Sequence, residues 1–392
     1  MPHAKMPFIQ EITPRNILSY GPETEPITLE NLNILIGPNG SGKSNLIEMI
    51  SLLRATTGDV RTVIRQGGGT NEWIWKGNPK GIASIDAVIS NPKGAQPLRH
   101  VFSFREEKQS FRLDDERIEN QHPDKDKDTP YFYYRYQKGY PVLNVNGDQR
   151  SLKQETVEPD LSILVQRRDP EIYPEVSYLA GAYDKIRIFR EWTFGRNAVF
   201  REPQKADMRS DRLEEDFSNL GLFLNYLRRK PEAKNAILDE LRDFYEEFED
   251  FDISIEGGTV QVFFTENNFI IPATRLSDGT VRYLCLLAIL CDPEPPALIC
   301  IEEPELGLHP DILPNLADLL IRASERTQLI VTTHSDILVD AMTEQPEAVL
   351  VCEKHDRQTV TKRLSGQKLR GWLDKYRLGQ LWMSGELGGM RW

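Results

Sequence analysis

The sequence of 392 residues predicts an α/β protein with a mixed β-sheet core and an inserted helical lobe, without a long coiled coil. Three observations predict this fold class. An apolar strand at residues 32–36 runs through a glycine-rich loop into a helix. Residues 174–251 repeat apolar side chains at helical spacing. From residue 281 onward, apolar segments of helix and strand length alternate, as in a protein with a parallel sheet.

The chain before residue 170 is predicted to be mostly β-structure around one helix. Alternating, aromatic or β-branched segments predict the strands. The stretch 119–130, which interleaves acidic and basic residues, is predicted to be a solvated loop. The predicted strands are 8–12, 27–29, 32–36, 82–89, 101–104 and 131–136.

The later elements follow from the same rules. A hairpin around Glu256-Gly257-Gly258 joins the strands 251–255 and 259–264. Apolar runs of strand length then alternate with amphipathic segments of helix length. The predicted helices are 281–291 and about 310–324, and the predicted strands are 297–301, 328–333 and 348–352.

Composition excludes several classes of protein. With 48 basic and 60 acidic residues the net charge is −12, which excludes a uniformly basic coat for nucleic acid but not a local basic patch. Four cysteines without close pairing exclude a disulfide scaffold and indicate a reducing compartment. The longest apolar run, 283–291, is far shorter than the roughly 20 residues of a membrane span. The N-terminus has no apolar signal segment, so we expect a soluble, cytoplasmic protein.

Residues 37–44 fit the phosphate-binding pattern G-x-x-x-x-G-K-[ST]. The glycines let main-chain N–H groups surround phosphates, Lys43 reaches the β- and γ-phosphates, and Ser44 offers a hydroxyl to Mg²⁺. The alternative, a glycine turn without function, is disfavoured by the apolar strand before the loop and the helix after it. The residues expected to hold the nucleotide are Gly37, Pro38, Asn39, Gly40, Ser41, Gly42, Lys43, Ser44 and Asn45.

Two carboxylates, Glu302 and Glu303, end the apolar strand 297–301. An acid at a strand tip beside a phosphate loop can hold Mg²⁺ through its water shell. The next carboxylate can orient the attacking water or accept its proton. For an isolated pair a solvated acidic turn would be the better interpretation, but the upstream phosphate loop favours a catalytic role.

Two further segments have polar residues at the ends of apolar elements. Ser277 and Gly279 precede a helix and can present a hydroxyl and an N–H to an anion, although alone they would be an ordinary N-cap. His334 follows another apolar strand, where a neutral imidazole can donate to a γ-phosphate or to the attacking water. The order and spacing of all these segments favour a functional role over a structural one.

In this order, the phosphate loop, L-S-D-G-T, E-E-P-E and T-T-H-S resemble an ABC-type ATPase head of the RecF/SMC-like branch. The phrase from Glu302 to Pro310 resembles the stand-alone bacterial RecF-like and OLD-like AAA-family predicted ATPases, and residues 192–196 and 384–389 add to the likeness. The resemblance is strongest over 7–55 and 270–340. It implies the P-loop NTPase fold of ABC-ATPase head type, with ATP hydrolysis and Mg²⁺.

The resemblance also implies roles for matching positions. Glu302 would bind Mg²⁺ with Ser44, although most such heads have Asp at this position, and Glu303 would be the catalytic carboxylate. Lys43 and His334 would complete the catalytic group as Walker A lysine and switch histidine.

Other family positions match less directly. Gln166 is the candidate metal-binding glutamine of the Q-loop, and Arg15 is a candidate nucleotide contact. The signature positions are Ser277, Asp278, Gly279 and Thr280, and the D-loop positions are Leu306, Gly307, Leu308 and His309.

In heads of this type the signature faces ATP on the phosphate loop of a second head. The resemblance therefore implies a homodimer or a larger even homo-oligomer, with two chains arranged head to tail around two ATP. It also implies three parts of the chain. Residues 1–170 would form the N-terminal half of the nucleotide-binding head, 171–260 the helical lobe, and 261–392 the C-terminal half.

Two functions beyond ATP hydrolysis stay open. Residues 185–212 carry eight basic and four acidic residues, so they could contact a DNA backbone as part of an ATP-driven clamp in repair or anti-phage defence. Internal ion pairs on a solvated surface are the alternative interpretation. The second function is an ATP-gated scaffold that holds and releases a separately encoded nuclease or toxin. It is suggested because the 57 residues after Ser335 are too few for a Toprim nuclease domain. A transporter subunit is disfavoured, since no membrane segment is found.

Overall fold

The computed structural model describes residues 6–137, 139–145, 148–151, 157–192, 195, 198–199 and 201–389. The strands are β1 (Ile9–Arg15), β2 (Ile27–Thr28), β3 (Leu32–Ile36), β4 (Ala83–Ile89), β5 (Leu98–Glu107), β6 (Ser110–Asn120), β7 (Phe132–Gln137), β8 (Tyr140–Val145), β9 (Asp148–Ser151), β10 (Arg187–Phe189), β11 (Gln204–Lys205), β12 (Phe248–Glu256), β13 (Thr259–Glu266), β14 (Phe269–Pro272), β15 (Leu298–Glu302), β16 (Gln328–Thr332), β17 (Val349–His355) and β18 (Gln358–Arg363).

The helices are α1 (Lys43–Ala55), α2 (Val60–Gln66), α3 (Thr70–Trp73), α4 (Ile163–Gln166), α5 (Pro174–Tyr183), α6 (Leu220–Arg228), α7 (Pro231–Phe244), α8 (Asp278–Leu290), α9 (Leu313–Ser324), α10 (Asp336–Asp340), α11 (Gly366–Leu373) and α12 (Leu378–Met383). Short 3₁₀ helices span Ala273–Arg275, Pro310–Ile312 and Pro346–Ala348.

A mostly parallel sheet in the order β10-β15-β16-β3-β17-β18 forms the middle layer. Only its edge pair β17–β18 is antiparallel among the described pairs. Its strands are apolar on both faces, because Ile34 and Ile36 of β3 enter one core cluster and Leu35 enters the other. The carboxyl ends of β3, β15 and β16 lie at one edge of this sheet, so the loops that follow them converge there.

An antiparallel sheet in the order β2-β1-β4-β5-β6-β7-β8-β9 covers one face of the central sheet. Its apolar side chains share a core with α1 and α5 and with one face of the central strands. The other face packs against α6 to α9 and the small sheet of β11 to β14. The mixed sheet core and the strand–helix alternation predicted from the sequence are confirmed.

The segment 171–260, predicted as a helical lobe, is divided between several layers. Helix α5 packs with the antiparallel sheet, whereas α6 and α7 pack with α8 on the opposite side. Between them, β10 joins the central sheet beside β15, which the sequence analysis did not predict. Three residues are too few to show a periodicity, and the neighbouring strand supplies their backbone partners. The boundaries at 170 and 260 stay predictions.

The helices are short. The longest described one, α7, has 14 residues, so no described segment forms a long coiled coil. None of the helices in the described ranges combines the length and the apolar character that crossing a membrane requires. The chain after β17 also contains β18, α11 and α12, for which the sequence analysis made no prediction.

Candidate active site

The loop between β3 and α1 has the backbone that a phosphate-binding loop requires. Gly37 has a φ of +145° and Gly42 a φ of +100°. A Cβ atom would lie 2.2 Å from the main-chain oxygen of Cys352 at Gly37, and 2.1 Å from Thr359 Oγ1 at Gly42. Conformation and space both exclude a side chain at these positions. The loop amides can therefore approach an anion at the N-terminus of α1.

Lys43 folds back across this loop. Its Nζ donates to the main-chain oxygens of Gly37 at 2.8 Å and Pro38 at 3.1 Å. Burial lowers the pKa of Lys43, and neighbouring anionic groups, among them Glu303 and Glu302, counteract this shift. The two carbonyl contacts hold the ammonium group beside the loop, where it can exchange these acceptors for the phosphate oxygens of a nucleotide.

Ser44 and Glu302 come together from α1 and the end of β15. Ser44 Oγ lies 3.5 Å from Glu302 Oε2. Glu302 Oε1 is buried and accepts no hydrogen bond from any described residue. Burial raises the pKa of Glu302, and the Arg190 guanidinium counteracts this rise. A hydroxyl beside a carboxylate with an unused buried oxygen fits Mg²⁺, which binds oxygen ligands and keeps several waters.

Glu303 lies beside His334 at the same edge. Glu303 has a φ of +48°, a conformation that costs an L-residue about 1–3 kcal/mol. Its main-chain N–H donates to the main-chain oxygen of Thr332 at 3.0 Å. Glu303 Oε1 lies 3.7 Å from His334 Nε2, and 44% of the Glu303 side chain is exposed. A carboxylate in contact with both water and a histidine has the surroundings of a general base.

Glu305 joins the loops that carry Glu303 and His334. Its Oε1 accepts hydrogen bonds from Thr333 Oγ1 at 2.7 Å and from the main-chain N–H of His334 at 2.8 Å. Its Oε2 is buried and has no hydrogen-bond partner within the described ranges. Burial raises the pKa of Glu305. The sequence analysis missed this residue, although it is the last glutamate of E-E-P-E and lies two positions after Glu303.

Trp192 and Arg282 hold the main chain at the end of β15. Trp192 Nε1 donates to the main-chain oxygen of Glu302 at 2.8 Å, and Arg282 Nη2 donates to that of Glu303 at 2.6 Å. The Arg282 guanidinium carbon lies 4.3 Å from the centre of the Trp192 ring. Because Arg282 belongs to α8, the helix that begins at the predicted signature is hydrogen-bonded directly to the segment that carries Glu302 and Glu303. Sequence patterns had not indicated either residue as part of the site.

The prediction that Gln166 is a metal ligand is not supported by its surroundings. Its Nε2 donates to the main-chain oxygens of Leu161 at 2.8 Å and Glu158 at 3.1 Å, and its Oε1 accepts from the N–H of Glu158 at 2.7 Å. Both ends of the amide therefore close a turn before α4. Arg190, which follows β10, approaches the site instead and forms an ion pair with Glu48 of α1.

Asn45 and Arg15, two other predicted nucleotide contacts, lie at different places relative to the phosphate loop. Asn45 Nδ2 donates to Ser19 Oγ at 2.7 Å, and Ser19 Oγ lies 2.6 Å from Thr359 Oγ1 beside the phosphate loop. Asn45 therefore supports the loop from its flank. Arg15 is exposed at the end of β1 and has no described contact with the loop, so its role stays a prediction.

The signature residues form the N-terminus of α8. Ser277 Oγ accepts from the Thr280 N–H at 3.0 Å and lies 2.7 Å from Thr280 Oγ1. Asp278 Oδ1 accepts from Arg201 Nη2 at 2.5 Å, so its charge is paired. None of the hydrogen bonds described for Ser277, Asp278 and Thr280 reaches the phosphate loop of the same chain.

The D-loop residues 306–309 lie beside the signature. A Cβ atom at Gly279 would lie 3.3 Å from the main-chain oxygen of Gly307. Leu306 is 54% exposed, and the side chain of His309 is exposed as well. Signature and D-loop thus form one surface, at which apolar and polar side chains face solvent.

Of the eight basic residues of the segment 185–212, four are paired with carboxylates. Four of its arginines lie within 4 Å of carboxylates: Arg190 with Glu48, Arg201 with Asp278, Arg209 with Asp211 and Arg212 with Glu214. Ion pairing was the alternative to a DNA-binding patch, and these contacts favour it. Thr193, Phe194 and Arg196, which contributed to the family resemblance or to the positive charge, lie outside the described residues.

Comparisons with known proteins agree with this architecture. A family model described as "AAA domain, putative AbiEii toxin, Type IV TA system" matches residues 32–340. A solved Smc head bound to the C-winged helix domain of ScpA is 15% identical, with a TM-score of 0.55, and the match covers 92% of this chain and 99% of that one. An Smc head with an extended coiled coil, bound to the C-terminal domain of ScpA and derived from Pyrococcus furiosus, is 13% identical. Its TM-score is 0.55, and the match covers 94% of this chain and 99% of that one. No curated protein matches the chain.

At such identities the likeness to the Smc heads shows the fold alone. It confirms the prediction of an ABC-ATPase head fold of the RecF/SMC-like type.

Proposed function

The chain belongs to the family of AAA domains described with a putative AbiEii toxin of type IV toxin–antitoxin systems, and from this premise we propose that it hydrolyses ATP with Mg²⁺ as a head-to-tail homodimer or larger even assembly. The observation that supports the proposal most is the meeting of two pairs at one sheet edge. Glu303 lies 3.7 Å from His334, and Ser44 lies 3.5 Å from Glu302.

Each residue has a task in this proposal. The amides of 37–44 and Lys43 bind the phosphates of ATP. Ser44 and Glu302 would hold Mg²⁺, which neutralises charge on the phosphates when bound. Glu303 orients the attacking water and accepts its proton, while His334 donates to the γ-phosphate or to that water. The main-chain contacts from Trp192, Arg282 and Glu305 keep these groups in place.

The head-to-tail arrangement is supported by the position of the signature. Ser277 and Gly279 lie at the N-terminus of α8, where main-chain N–H groups attract anions. Their described hydrogen bonds do not reach the phosphate loop of their own chain. Arg201 pairs with Asp278, which reduces the repulsion that a free carboxylate would exert on a bound triphosphate.

We further propose that the ATP-dependent dimer acts on DNA, in repair or anti-phage defence. The second candidate is an ATP-gated scaffold that holds a separately encoded nuclease or toxin. One observation favours the scaffold: four arginines of 185–212 form ion pairs with carboxylates of the same chain. These arginines are therefore less available to the phosphates of a DNA backbone.

The test combines hydrolysis with the mass of the protein in solution. Lys43→Ala should lose ATP binding, and Glu303→Gln should bind ATP, fail to hydrolyse it and stay dimeric with Mg-ATP. Glu325→Gln, at an exposed position after α9, is the matched control and should behave as wild type. Normal turnover by Glu303→Gln would contradict its role as general base. If the trapped dimer retains short duplex DNA, the DNA function is supported. If it ignores all DNA, the scaffold is favoured.

A further inference from the structure

The C-terminal segment 362–377 is the most basic stretch outside the paired region. It contains six basic residues and one acidic residue in a chain with a net charge of −12. Arg377 lies 3.4 Å from Asp340. In contrast, Lys368, Arg370 and Lys375 are exposed, and no ion pair of the described residues involves them. These cations are therefore available to an anionic partner.

Two exposed aromatic residues lie among these cations. Trp372 is 46% exposed and Tyr376 is 47% exposed. Their ring centres are 6.1 Å apart and the rings are tilted by 41°, so neither ring buries the other by stacking on it. Large exposed aromatic side chains next to each other indicate a contact surface.

Helical spacing aligns these residues. The N–H of Tyr376 donates to the main-chain oxygen of Trp372 at 2.9 Å, which continues the helical turn beyond the end of α11. Lys368, Trp372, Lys375 and Tyr376 therefore share one face, which we call the aromatic–cationic stripe. Leu369 and Leu373 lie on another face and pack against the core.

The stripe borders a groove of about 550 Å³. Trp372 and Tyr376 line one side, and Leu381 and Met383 of α12 line the other, with Glu386 as the acidic residue in its lining. Met383 is 61% exposed. The groove thus combines flat aromatic faces and a flexible apolar side chain with a cationic rim.

We propose that the stripe and its groove bind single-stranded nucleic acid. Bases stack on Trp372 and Tyr376, and Lys368 and Lys375 neutralise the phosphates. Stacking of a base on an aromatic side chain tolerates any sequence, and cations that follow the backbone supply the sequence-independent affinity. A duplex keeps its bases stacked internally and offers only phosphates to the same surface. The inference deepens the proposed action on DNA and rests on that part of the proposed function.

The groove is connected to the nucleotide site on two sides. The N–H of Gly379 in α12 donates at 2.6 Å to Asp340 Oδ1 of α10, the helix that follows His334. Trp382 Nε1 donates to the main-chain oxygen of Gly389 at 2.8 Å, and a Cβ atom at Gly389 would lie 3.4 Å from Gly37 Cα in the phosphate loop. If these contacts couple the two sites, Mg-ATP and the oligonucleotide must change each other's affinity by the same factor.

The test is a titration of fluorescein-labelled oligothymidine of 20 nucleotides, measured by anisotropy at two salt concentrations. Trp372→Ala/Tyr376→Ala should weaken binding about tenfold or more, from the loss of stacking. Lys368→Glu/Lys375→Glu should weaken it and lower the salt slope by about 0.7 for each lost phosphate contact. Matched controls are Lys80→Glu/Lys93→Glu and Tyr140→Ala, all at exposed positions in the N-terminal half, and these should bind as wild type.

Three results would overturn the inference. Unchanged affinity in both stripe variants is the first. Equal binding of a duplex of the same length, with the same dependence on the stripe, would exclude the preference for single strands. Equal competition by poly-L-glutamate would assign the surface to an acidic polypeptide instead.

ATP hydrolysis, measured on the same samples, separates this inference from the catalytic proposal. A wild type that hydrolyses ATP and binds the duplex but not the oligonucleotide refutes only the stripe, whereas one that binds neither also refutes the proposed action on DNA. A wild type that binds the oligonucleotide without hydrolysing ATP refutes only the catalytic assignment.

Discussion

Glu305 Oε1 accepts a hydrogen bond from the main-chain N–H of His334 at 2.8 Å, across 29 positions of sequence. The same oxygen accepts from Thr333 Oγ1 at 2.7 Å. One carboxylate thus connects the loop that carries Glu303 with the loop that carries His334. These are the two loops that bring Glu303 Oε1 within 3.7 Å of His334 Nε2.

Glu305→Ala should therefore lower kcat while leaving the KM for ATP nearly unchanged. A hydrogen bond to a charged group contributes about 1.5–3 kcal/mol. If the transition state loses the equivalent of one such bond, kcat falls about tenfold to a hundredfold. Glu305→Gln keeps an acceptor oxygen for both donors and should retain much of the activity. Steady-state kinetics measure the effect, and thermal unfolding verifies that both variants are folded.

A double-mutant cycle separates positioning from a purely structural role. If Glu305 acts through His334, Glu305→Ala should cost little more in a His334→Ala background. An equal loss of kcat in both backgrounds would show that Glu305 acts independently of the histidine.

Arg282 should be needed for both stability and turnover. Burial lowers the pKa of Arg282 to about 10, so the guanidinium stays charged at neutral pH while it donates to the main-chain oxygen of Glu303. Arg282→Ala should reduce the free energy of unfolding by about 1–3 kcal/mol, because the main-chain oxygen of Glu303 loses its charged donor and keeps only the N–H of Leu306. Arg282→Lys keeps a charge but not the planar stack on Trp192, so it should restore activity only in part.

Chemical denaturation and ATPase rates measure the effect of these variants. Arg229→Ala, at an exposed position after α6, is the control for loss of a surface arginine. An Arg282→Ala protein as stable and as active as this control would contradict the role assigned to the contact.

The pH dependence of stability should report on Glu302. Burial raises its pKa above the ordinary value of 4.5. The contribution of this carboxyl to stability is therefore complete below the ordinary value and is lost as the pH rises through the raised one. In EDTA, Glu302→Gln should have a higher Tm than wild type at about pH 8, and the difference should shrink towards about pH 5.

Thermal unfolding across this pH range checks the sign, with Glu325→Gln as the exposed control. Mg-ATP should stabilise wild type more than Glu302→Gln, since the variant loses a ligand charge. A difference in Tm that grows on acidification would refute the assignment.

Arg201 should affect the dimer through Asp278. In a Glu303→Gln background, Arg201→Met leaves the Asp278 carboxylate unpaired next to the expected position of the partner's triphosphate, and we expect weaker ATP-dependent dimerisation. Adding Asp278→Asn to Arg201→Met removes the unpaired charge and should restore dimerisation in part. The restoration is only partial, because the double variant still lacks the hydrogen bonds from Arg201 to the main-chain oxygens of Ala273 and Leu276. Sedimentation with and without Mg-ATP measures the result, and a double variant no better than Arg201→Met would exclude the charge explanation.

Much of the fold was predictable because its signals are local. The apolar run of β3, the glycines of the following loop and the spacing of α1 lie within some 25 consecutive positions, and β15 and β16 have the composition of strands buried on both faces. Strand β10 was not predicted, because three residues are too few to show a periodicity. Its backbone hydrogen-bond partners are supplied by β15, which is distant in sequence.

The site was predictable to a smaller degree. The family resemblance offered Gln166 as the glutamine of the Q-loop, but its amide forms hydrogen bonds with the main chain of 158–162. Arg190 and Trp192 reach the site from the segment after β10. Trp192 contributed to the family resemblance, but no local pattern indicates that either residue belongs to the site. Composition also could not distinguish the paired arginines of 185–212 from Lys368, Arg370 and Lys375, which form no ion pair among the described residues.

Groups that neighbouring residues form together could be recognised from the chain alone. They are the phosphate loop, the carboxylates at the end of β15, the N-terminus of α8 and the histidine after β16. Which distant groups meet depends on the three-dimensional packing, which brings together Glu305 and His334, Arg282 and Glu303, and Arg201 and Asp278. The physical reason is that a local motif depends on backbone geometry over a few residues. Contacts between loops depend instead on how the sheet and helices pack. They also depend on which buried polar groups still need a hydrogen-bond partner after this packing.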